Sequence, residues 1–583
     1  MENKNQKIEA GKYEPAIRER LMHLDSMQFI PRFLRKDRTL WGDHKEILLG
    51  WTDVAGKMLN DLPEIEAFLQ RVAEKEFRHV VLLGMGGSSL APLVLSKLTN
   101  PSRESLKLIV LDTTEPEMIK RTEQEIDLAS TLFIVASKSG STAEIKALFD
   151  YFYSRISAIK NEDAGEHFVA ITDKGSPLAR LAGQKHFLET FLNYDGIGGR
   201  FSALSYFGIV PAALAGVNVK EILQRADDFA RSLTAETNPA EHPAMVLGAA
   251  LGELSLEGKS KMMYLLPAGL TEFGTWLEQL LAESTGKEEK GILPMNGYPA
   301  NKATTLGNDK IIFKLVLDQE IASFETQKDE LAEKHPVISI TLHDLNDIGK
   351  EFLRWEIATA VAGSVLSINP FDQPNVEESK NHTKELLKKV AEGGTLEQPE
   401  PSVQEELLTW FGDKKSESTH TLVETFFAHP RAGEYIALLG YLPEDPEVHA
   451  ILTDAQQFLQ KRLRVPVAIQ YGPRYLHSTG QFYKGGTLRG LFVQLLSDPV
   501  VDIQVPGHDH TFGMLKRAQA FGDRQALLDH GKKVLLVDTG KDIIKGLKTF
   551  REALAHVAPV ERRHRKPIYS TDKNVKTRRT DLA

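Results

Sequence analysis

The chain has 583 residues, a formal net charge of -9 and an apolar fraction of 42%. That length exceeds one compact domain and predicts two domains with additions, and the spread negative charge argues against nucleic acid as a general partner. The chain has no cysteine, which removes disulfide scaffolds, thiolate nucleophiles and cysteine-based metal sites together.

The first residues, MENKNQKIEAGKYEP, are polar and show no apolar signal segment. Residues 1–60 carry Leu, Met and Phe at helix-like spacing and read as an N-terminal helical segment. From Phe77 the pattern changes. Residues 80–83 form a short apolar run that ends in glycines, and a helix follows over 89–98. Strands over 106–111, 132–136 and 167–172 alternate with helices over about 115–128 and 142–155. Short apolar strands alternating with helices predict an α/β fold with a doubly wound parallel sheet. Right-handed crossovers then place every strand-to-helix loop on one edge. This first domain is set at residues 61–235. The weakly polar stretch near 207–219 is too short to span a membrane and carries glycine and proline. A soluble, cytoplasmic protein without membrane partners is expected.

A second α/β domain of similar kind begins at 236 and runs to 391. It has strands expected at 261–266, 311–317 and 337–342 and helices at 273–284 and 347–366. Residues 392–420 are rich in Gly, Pro, Glu and Ser, so 392–460 is assigned as a linker or helical insertion. It ends in a helix over 446–463 with proline in its first turn. Strands at 465–470, 500–505 and 533–537 are expected to complete the second domain over 461–550. Residues 551–583 hold nine Lys/Arg against four Asp/Glu and read as a solvated basic tail.

Two loops carry chemistry. Gly84-Met85-Gly86-Gly87-Ser88-Ser89 lies between a strand and a helix. Its glycines let backbone N–H groups approach an anion. A dinucleotide fingerprint would need glycine where Ser89 stands, although Asp112 ends the next strand as a ribose-binding acid would. Ser137-Lys138-Ser139-Gly140-Ser141-Thr142 follows the third strand and opens a helix. Four hydroxyls, a cation and a helix N-terminus suit a phosphate monoester, whereas an N-cap alone needs one hydroxyl.

These loops and three further motifs resemble the glucose-6-phosphate isomerase family, which has the sugar-isomerase (flavodoxin-like) fold. Gly198-Gly199-Arg200-Phe201-Ser202 resembles that family's Gly-Gly-Arg-Tyr/Phe-Ser signature, and Glu283-Ser284-Thr285-Gly286-Lys287 its Glu-Ser-Asn-Gly-Lys signature. Asn369-Pro370-Phe371-Asp372-Gln373-Pro374, with Val376, Glu377 and Lys380, resembles its Phe-Asp-Gln…Val-Glu…Lys signature. The resemblance covers most of residues 75–385 and implies two sugar-isomerase domains. It also implies interconversion of glucose 6-phosphate and fructose 6-phosphate through a cis-enediolate, without metal or cofactor, in a homodimer. Glycolysis or gluconeogenesis is the implied setting.

By the same resemblance Glu283 is the base that shuttles the proton. Apolar residues precede it on its helix, and partial desolvation makes a carboxylate a better base. Arg200 keeps its proton and suits electrostatic stabilisation of the enediolate. Lys380 would assist ring opening. Gln373, Gly87, Ser88, Ser137, Lys138, Ser139, Ser141 and Thr142 would bind substrate. The family's ring-opening histidine lies between the glutamate and lysine motifs, where this chain offers His335 and His343 without the local pattern. Later, His477-Ser478-Thr479-Gly480-Gln481 resembles the His-Ser-x-Gly-Gln motif, so His477 is assigned. This order resembles the isomerase half of bacterial transaldolase–isomerase fusions, although no transaldolase half has room here.

His508 and His510 form a His-x-His pair without a third ligand pattern, and no metal is expected. Three alternatives stand beside the isomerase reading. A non-catalytic sugar-phosphate module would keep residues 137–142 but need not keep Glu283, Arg200, Lys380 and His477. A dinucleotide-dependent dehydrogenase is disfavoured by Ser89. An isomerase of another C6-anionic hexose, such as mannose 6-phosphate, would follow if Thr285, in place of the family's Asn, opened room for a second epimer.

Overall fold

In the computed structural model the described residues are all except 4, 43, 45, 46, 99–104, 296–306, 321–331, 406, 429, 431, 432, 487, 488 and 560–583. The basic tail from 560 onward therefore lies outside the described residues.

The strands, in chain order, are β1 (Glu2–Asn3), β2 (Gln6–Glu9), β3 (His79–Gly84), β4 (Lys107–Leu111), β5 (Thr131–Ala136), β6 (Phe168–Asp173), β7 (Glu189–Asn193), β8 (Lys261–Leu265), β9 (Leu293–Met295), β10 (Lys310–Leu317), β11 (Val337–Leu342), β12 (Val403–Glu405), β13 (Leu408–Phe411), β14 (Tyr435–Tyr441), β15 (Val467–Tyr471), β16 (Gly490–Leu496) and β17 (Lys533–Asp538). They form three sheets. The first has order β4-β3-β5-β6-β7 and is parallel throughout. Both of its faces are covered, so β5 (TLFIVA) is buried along its whole length. Such strands read as unbroken apolar runs, and each buried Val, Leu or Ile contributes about 1.5–3 kcal/mol.

The second sheet has order β1-β2-β11-β10-β8-β9. Strands β8 to β11 are parallel, and β2 adds antiparallel to β11, with Ile8 opposite Ile338. The N-terminal segment is thus mainly helical, as expected, but its start is a strand of the second sheet. One core spans the first two units: Val80 and Leu82 of the first share a buried cluster with Trp276, Phe352 and Phe371 of the second.

The α/β class with doubly wound parallel sheets is what the chain adopts. The last third departs from the expected boundaries. Residues 392–460 are not a linker, because they supply β12, β13 and β14 and the helices Thr419–Phe426 and Pro446–Leu463. Residues 461–550 do not complete the second sheet. Their strands join β12 to β14 in a third sheet of order β12-β13-β17-β16-β14-β15, with its own core around Trp410, Leu438 and Phe550. The strand expected at 500–505 is absent: Val500 and Val501 are 71% and 55% exposed, and only Gln504 makes a bridge, to Thr511. Among the described residues no helix is long and apolar enough to cross a membrane. The apolar helix Tyr206–Leu214 is instead buried in full.

Candidate active site

The site forms where the C-terminal ends of β3 and β5 meet pieces of the other two units. After β3 the chain turns tightly through Gly86–Ser88 into the helix Leu90–Ser96. Two glycines there are required by close approach. A Cβ on Gly87 would lie 1.9 Å from the Gly199 carbonyl oxygen, and one on Gly86 would lie 2.8 Å from Gln279 Nε2 and 2.9 Å from the His477 carbonyl oxygen. Gly86 also has φ +55, which a side chain would strain. The glycine loop is therefore a wedge against which the Arg200 turn, the Glu283 helix and the His477 turn are seated. Ser88, next in the loop, is buried.

Arg200 sits in the turn Gly199–Phe201 and is 3% exposed. Nε donates to Ser284 Oγ at 2.7 Å, and Nη2 to the carbonyl oxygens of Pro370 and Asp372 at 2.7 and 2.8 Å. Nη1 donates to Gln373 Oε1 at 2.9 Å and pairs with Glu283 Oε1 at 2.9 Å. All five guanidinium N–H groups are engaged. Burial lowers its proton affinity below the ordinary arginine value, and the charges of Glu283 and Asp372 oppose that. Lys287 stands beside it. Its ammonium donates to the carbonyls of Asn369 and Asp372, both at 2.5 Å, and pairs with Asp372 Oδ1 at 2.7 Å. Burial, then the like charge of Arg200, lowers Lys287 to about 7.

Glu283 lies in the last turn of the helix Thr271–Thr285 and is 7% exposed. Its second oxygen accepts from Gln279 Nε2 at 3.0 Å. The same amide donates to the His477 carbonyl oxygen at 2.8 Å. Gln279 was missed from the sequence, yet it stands four residues before Glu283, on the same helix face. Thr285 does not open toward the site. It is 0% exposed, its hydroxyl donates to the Leu281 carbonyl oxygen at 2.6 Å and accepts from the Ile292 N–H at 2.9 Å, so the expected effect on sugar preference loses its basis.

His477 closes the turn Arg474–His477 after β15. Its Nε2 meets Glu144 Oε1 at 2.9 Å. Glu144 is the second residue of the helix Ala143–Lys160 and is 6% exposed. Burial alone would raise its carboxyl, but the His477 charge and hydrogen bond prevail and hold it below the ordinary value. Glu144 too was missed, since its partner is 333 positions away. His477 reaches the site of its own chain. Arg474 at the start of the turn grips Asp112 with two bonds of 2.8 Å, and Ser89 Oγ donates to the same carboxylate at 3.3 Å. Asp112 thus braces the histidine turn and is not poised for a ribose.

The hydroxyl loop opens the helix that carries Glu144. Ser137 and Thr142 hydroxyls bond each other at 3.0 Å, and those of Ser139 and Ser141 do so at 2.9 Å. Thr142 occupies the N-cap position without a side-chain cap bond, so the helix start presents its N–H groups toward the loop. Lys138 is 39% exposed in its side chain and meets Asp173 at 3.7 Å. Lys380 lies at the rim, 41% exposed in its side chain and paired with Glu377 at 2.8 Å, and its charge is felt at Glu144. Gln373 stands at the N-cap position of the Lys380 helix, Pro374–Ala391, without a side-chain cap bond, its oxygen being taken by Arg200. Gln481 of the histidine motif ties the pieces together, donating to the Gly286 carbonyl and accepting from the Asn375 N–H, each at 3.0 Å. His508 lies apart, against Asp150 at 3.1 Å.

The chain is similar to known proteins over more than half of its length. The family model described as phosphoglucose isomerase matches residues 30–292, which includes Arg200 and Glu283. A probable glucose-6-phosphate isomerase of Methanococcus maripaludis is 30% identical over 378 residues, 58% of this chain and 84% of the relative. A glucose-6-phosphate isomerase of a Cyanothece species is 31% identical over 380 residues, 56% of this chain and 70% of the relative. Among solved structures, a hypothetical protein of Thermus thermophilus superposes with a TM-score of 0.56 at 26% identity, covering 65% of this chain and 99% of its own. A glucose-6-phosphate isomerase from Chlamydia trachomatis does so with a TM-score of 0.54 at 20% identity, covering 64% and 86%. With this extent of kinship, the chain belongs to the glucose-6-phosphate isomerase (phosphoglucose isomerase) family.

Proposed function

We propose that the chain interconverts D-glucose 6-phosphate and D-fructose 6-phosphate by opening the sugar ring and moving one proton between C1 and C2 through a cis-enediolate. One observation carries this reading. The Gln279 amide holds both the Glu283 carboxylate and the His477 carbonyl, so a base paired with a buried cation is tied to the turn that carries the acid–base histidine.

Residues 137–142 and the helix start behind them hold the phosphate, with Gly87, Ser88 and Gln373 contacting the sugar. His477, with Lys380 beside it, exchanges a proton with the ring oxygen and the adjoining hydroxyl to give the open-chain aldose. Glu283 takes the C2 proton, leaving the electron pair on the enediolate, and returns that proton to C1 while the hydroxyl proton passes from O2 to O1, which makes C2 the carbonyl. As Glu283 becomes neutral it neutralises Arg200 less, so more of the guanidinium charge, already in place, acts on the enediolate oxygen. No step is assigned to a metal or cofactor. The delivery of His477 after Lys380 supports likeness to the isomerase half of transaldolase fusions, and a cytoplasmic homodimer is the working assembly we infer from the resemblance.

The test is turnover of fructose 6-phosphate by EDTA-treated protein, followed with an NADP-reducing enzyme that consumes glucose 6-phosphate. Glu283→Gln should lose roughly 10²–10⁴ in kcat with little change in KM. Turnover that survives this change removes Glu283 as the base.

A further inference from the structure

The helix Phe512–Asp529, which packs between the third sheet and the site, carries a buried polar stripe. Lys516, Gln519 and Asp523 are three and four positions apart, on one face, and are 1%, 3% and 0% exposed. Each grips a different piece of the molecule. Lys516 pairs with Glu115 at 2.7 Å and donates to the Ser497 carbonyl at 2.8 Å. Asp523 pairs with Lys484 at 2.8 Å and accepts from the hydroxyl of Tyr475, two residues before His477, at 2.6 Å.

Gln519, between them, reaches the Glu144–His477 pair. Its Nε2 donates to Glu144 Oε1 at 2.8 Å, across 375 positions of sequence. The Thr114 hydroxyl donates to Gln519 Oε1 at 2.8 Å, and Thr114 is 0% exposed. That bond fixes the amide, because a hydroxyl proton and a carboxylate make opposite demands on its two ends. His477 Nε2 meets the same Glu144 oxygen at 2.9 Å. Among the described residues, His477 and Gln519 are the side chains that hydrogen-bond to Glu144.

We propose that Gln519 is a positioning residue for the ring-opening pair: its amide holds Glu144 turned toward His477 Nε2, which leaves His477 Nδ1 as the ring nitrogen for the substrate. The proposal rests on the isomerase reading of the site. A buried carboxylate with one donor removed is less well solvated, takes a proton more readily and supports an imidazolium less. The other charges around the pair are Lys380 from the helix Pro374–Ala391, Glu283 behind Gln279, the pairs Lys516–Glu115 and Lys484–Asp523, and Arg474 with its two carboxylates, Asp112 and Glu444. Tyr441 of β14 also feels the Glu144 charge.

The experiment is Gln519→Met, which keeps length and removes the donor. For fructose 6-phosphate, kcat should fall roughly ten- to a hundredfold, less than the loss expected when an acid–base group itself is removed, with KM within about twofold. The limb of the kcat/KM profile that reports His477 should move to lower pH. The His477 titration midpoint should move the same way in the ligand-free full chain, read by NMR of histidine-labelled protein and assigned with His477→Asn. Thr114→Val, which frees the amide to turn, should shift the same observables by less and serves if Gln519→Met does not fold. A fall in kcat with an unmoved profile and an unmoved midpoint would overturn the proposal, as would unchanged kcat. A shifted midpoint in a protein whose wild type does not turn over fructose 6-phosphate would uphold the positioning and reject the isomerase reading instead.

Discussion

The two cationic ends of the site are built in opposite ways. Arg200 is 3% exposed and every N–H it owns is already engaged, by two side-chain oxygens, two carbonyls and Glu283. Lys138 is 39% exposed in its side chain and has one loose carboxylate contact at 3.7 Å, while the hydroxyls around it bond in pairs to each other. The difference fits what each end would do in the proposed isomerisation. A charge that stabilises a fleeting enediolate works best if nothing reorganises at that moment. An anchor must capture and release a phosphate, and hydroxyl rotors exchange partners at small cost.

The largest expected effect breaks the rigid end. Arg200→Lys keeps the charge but offers three donors in place of a five-donor fork. It should lower kcat at least about 100-fold and unfolding stability by roughly 3–5 kcal/mol, because buried acceptors lose their partner. Coupled turnover and urea titration measure the two. Retention of both would show that the five bonds are incidental.

A smaller effect sharpens the same contrast through pH. Lys287 is held at about 7, down from 10.5. Between those values the unfolded chain carries the proton that the folded chain has shed, so stability rises with pH across that window and is lost as pH falls. Wild type minus Lys287→Met should therefore gain about 2 kcal/mol between roughly pH 7 and 9. A flat difference would mean that the ammonium stays charged in the interior.

The smallest effect belongs to the open end. Lys138→Ala should raise KM for fructose 6-phosphate about tenfold, the loss of one charge-assisted bond to phosphate. It should leave kcat and the urea midpoint nearly unchanged, since an exposed ion pair adds little to stability. A large drop in stability would place Lys138 in the scaffold.

The first sheet was legible because parallel strands covered on both faces are unbroken apolar runs, as in β3 and β5. The third was not. Its entry strands β12 and β13 have three and four residues, set in a Gly- and Pro-rich stretch that reads as a linker. Val500 and Val501 carry strand propensity, but they lie exposed on a loop, where packing does not support it. In the site, residues whose motifs bind through backbone shape could be read locally: the glycine wedge, the Arg200 turn and the hydroxyl loop. Glu144 and Gln519 could not, because a single carboxylate or amide acquires meaning from a partner hundreds of positions away.

Strand β2 has a consequence for the order of events in synthesis. It is made about 330 residues before β11, the strand it pairs with. At the roughly 5–20 residues per second of a ribosome, it waits tens of seconds while the first sheet is completed. During that interval Ile8, which ends up 0% exposed, has no native neighbour on β11. The segment that carries β2 is therefore an open strand edge, available to chaperones or to another nascent chain until β11 emerges.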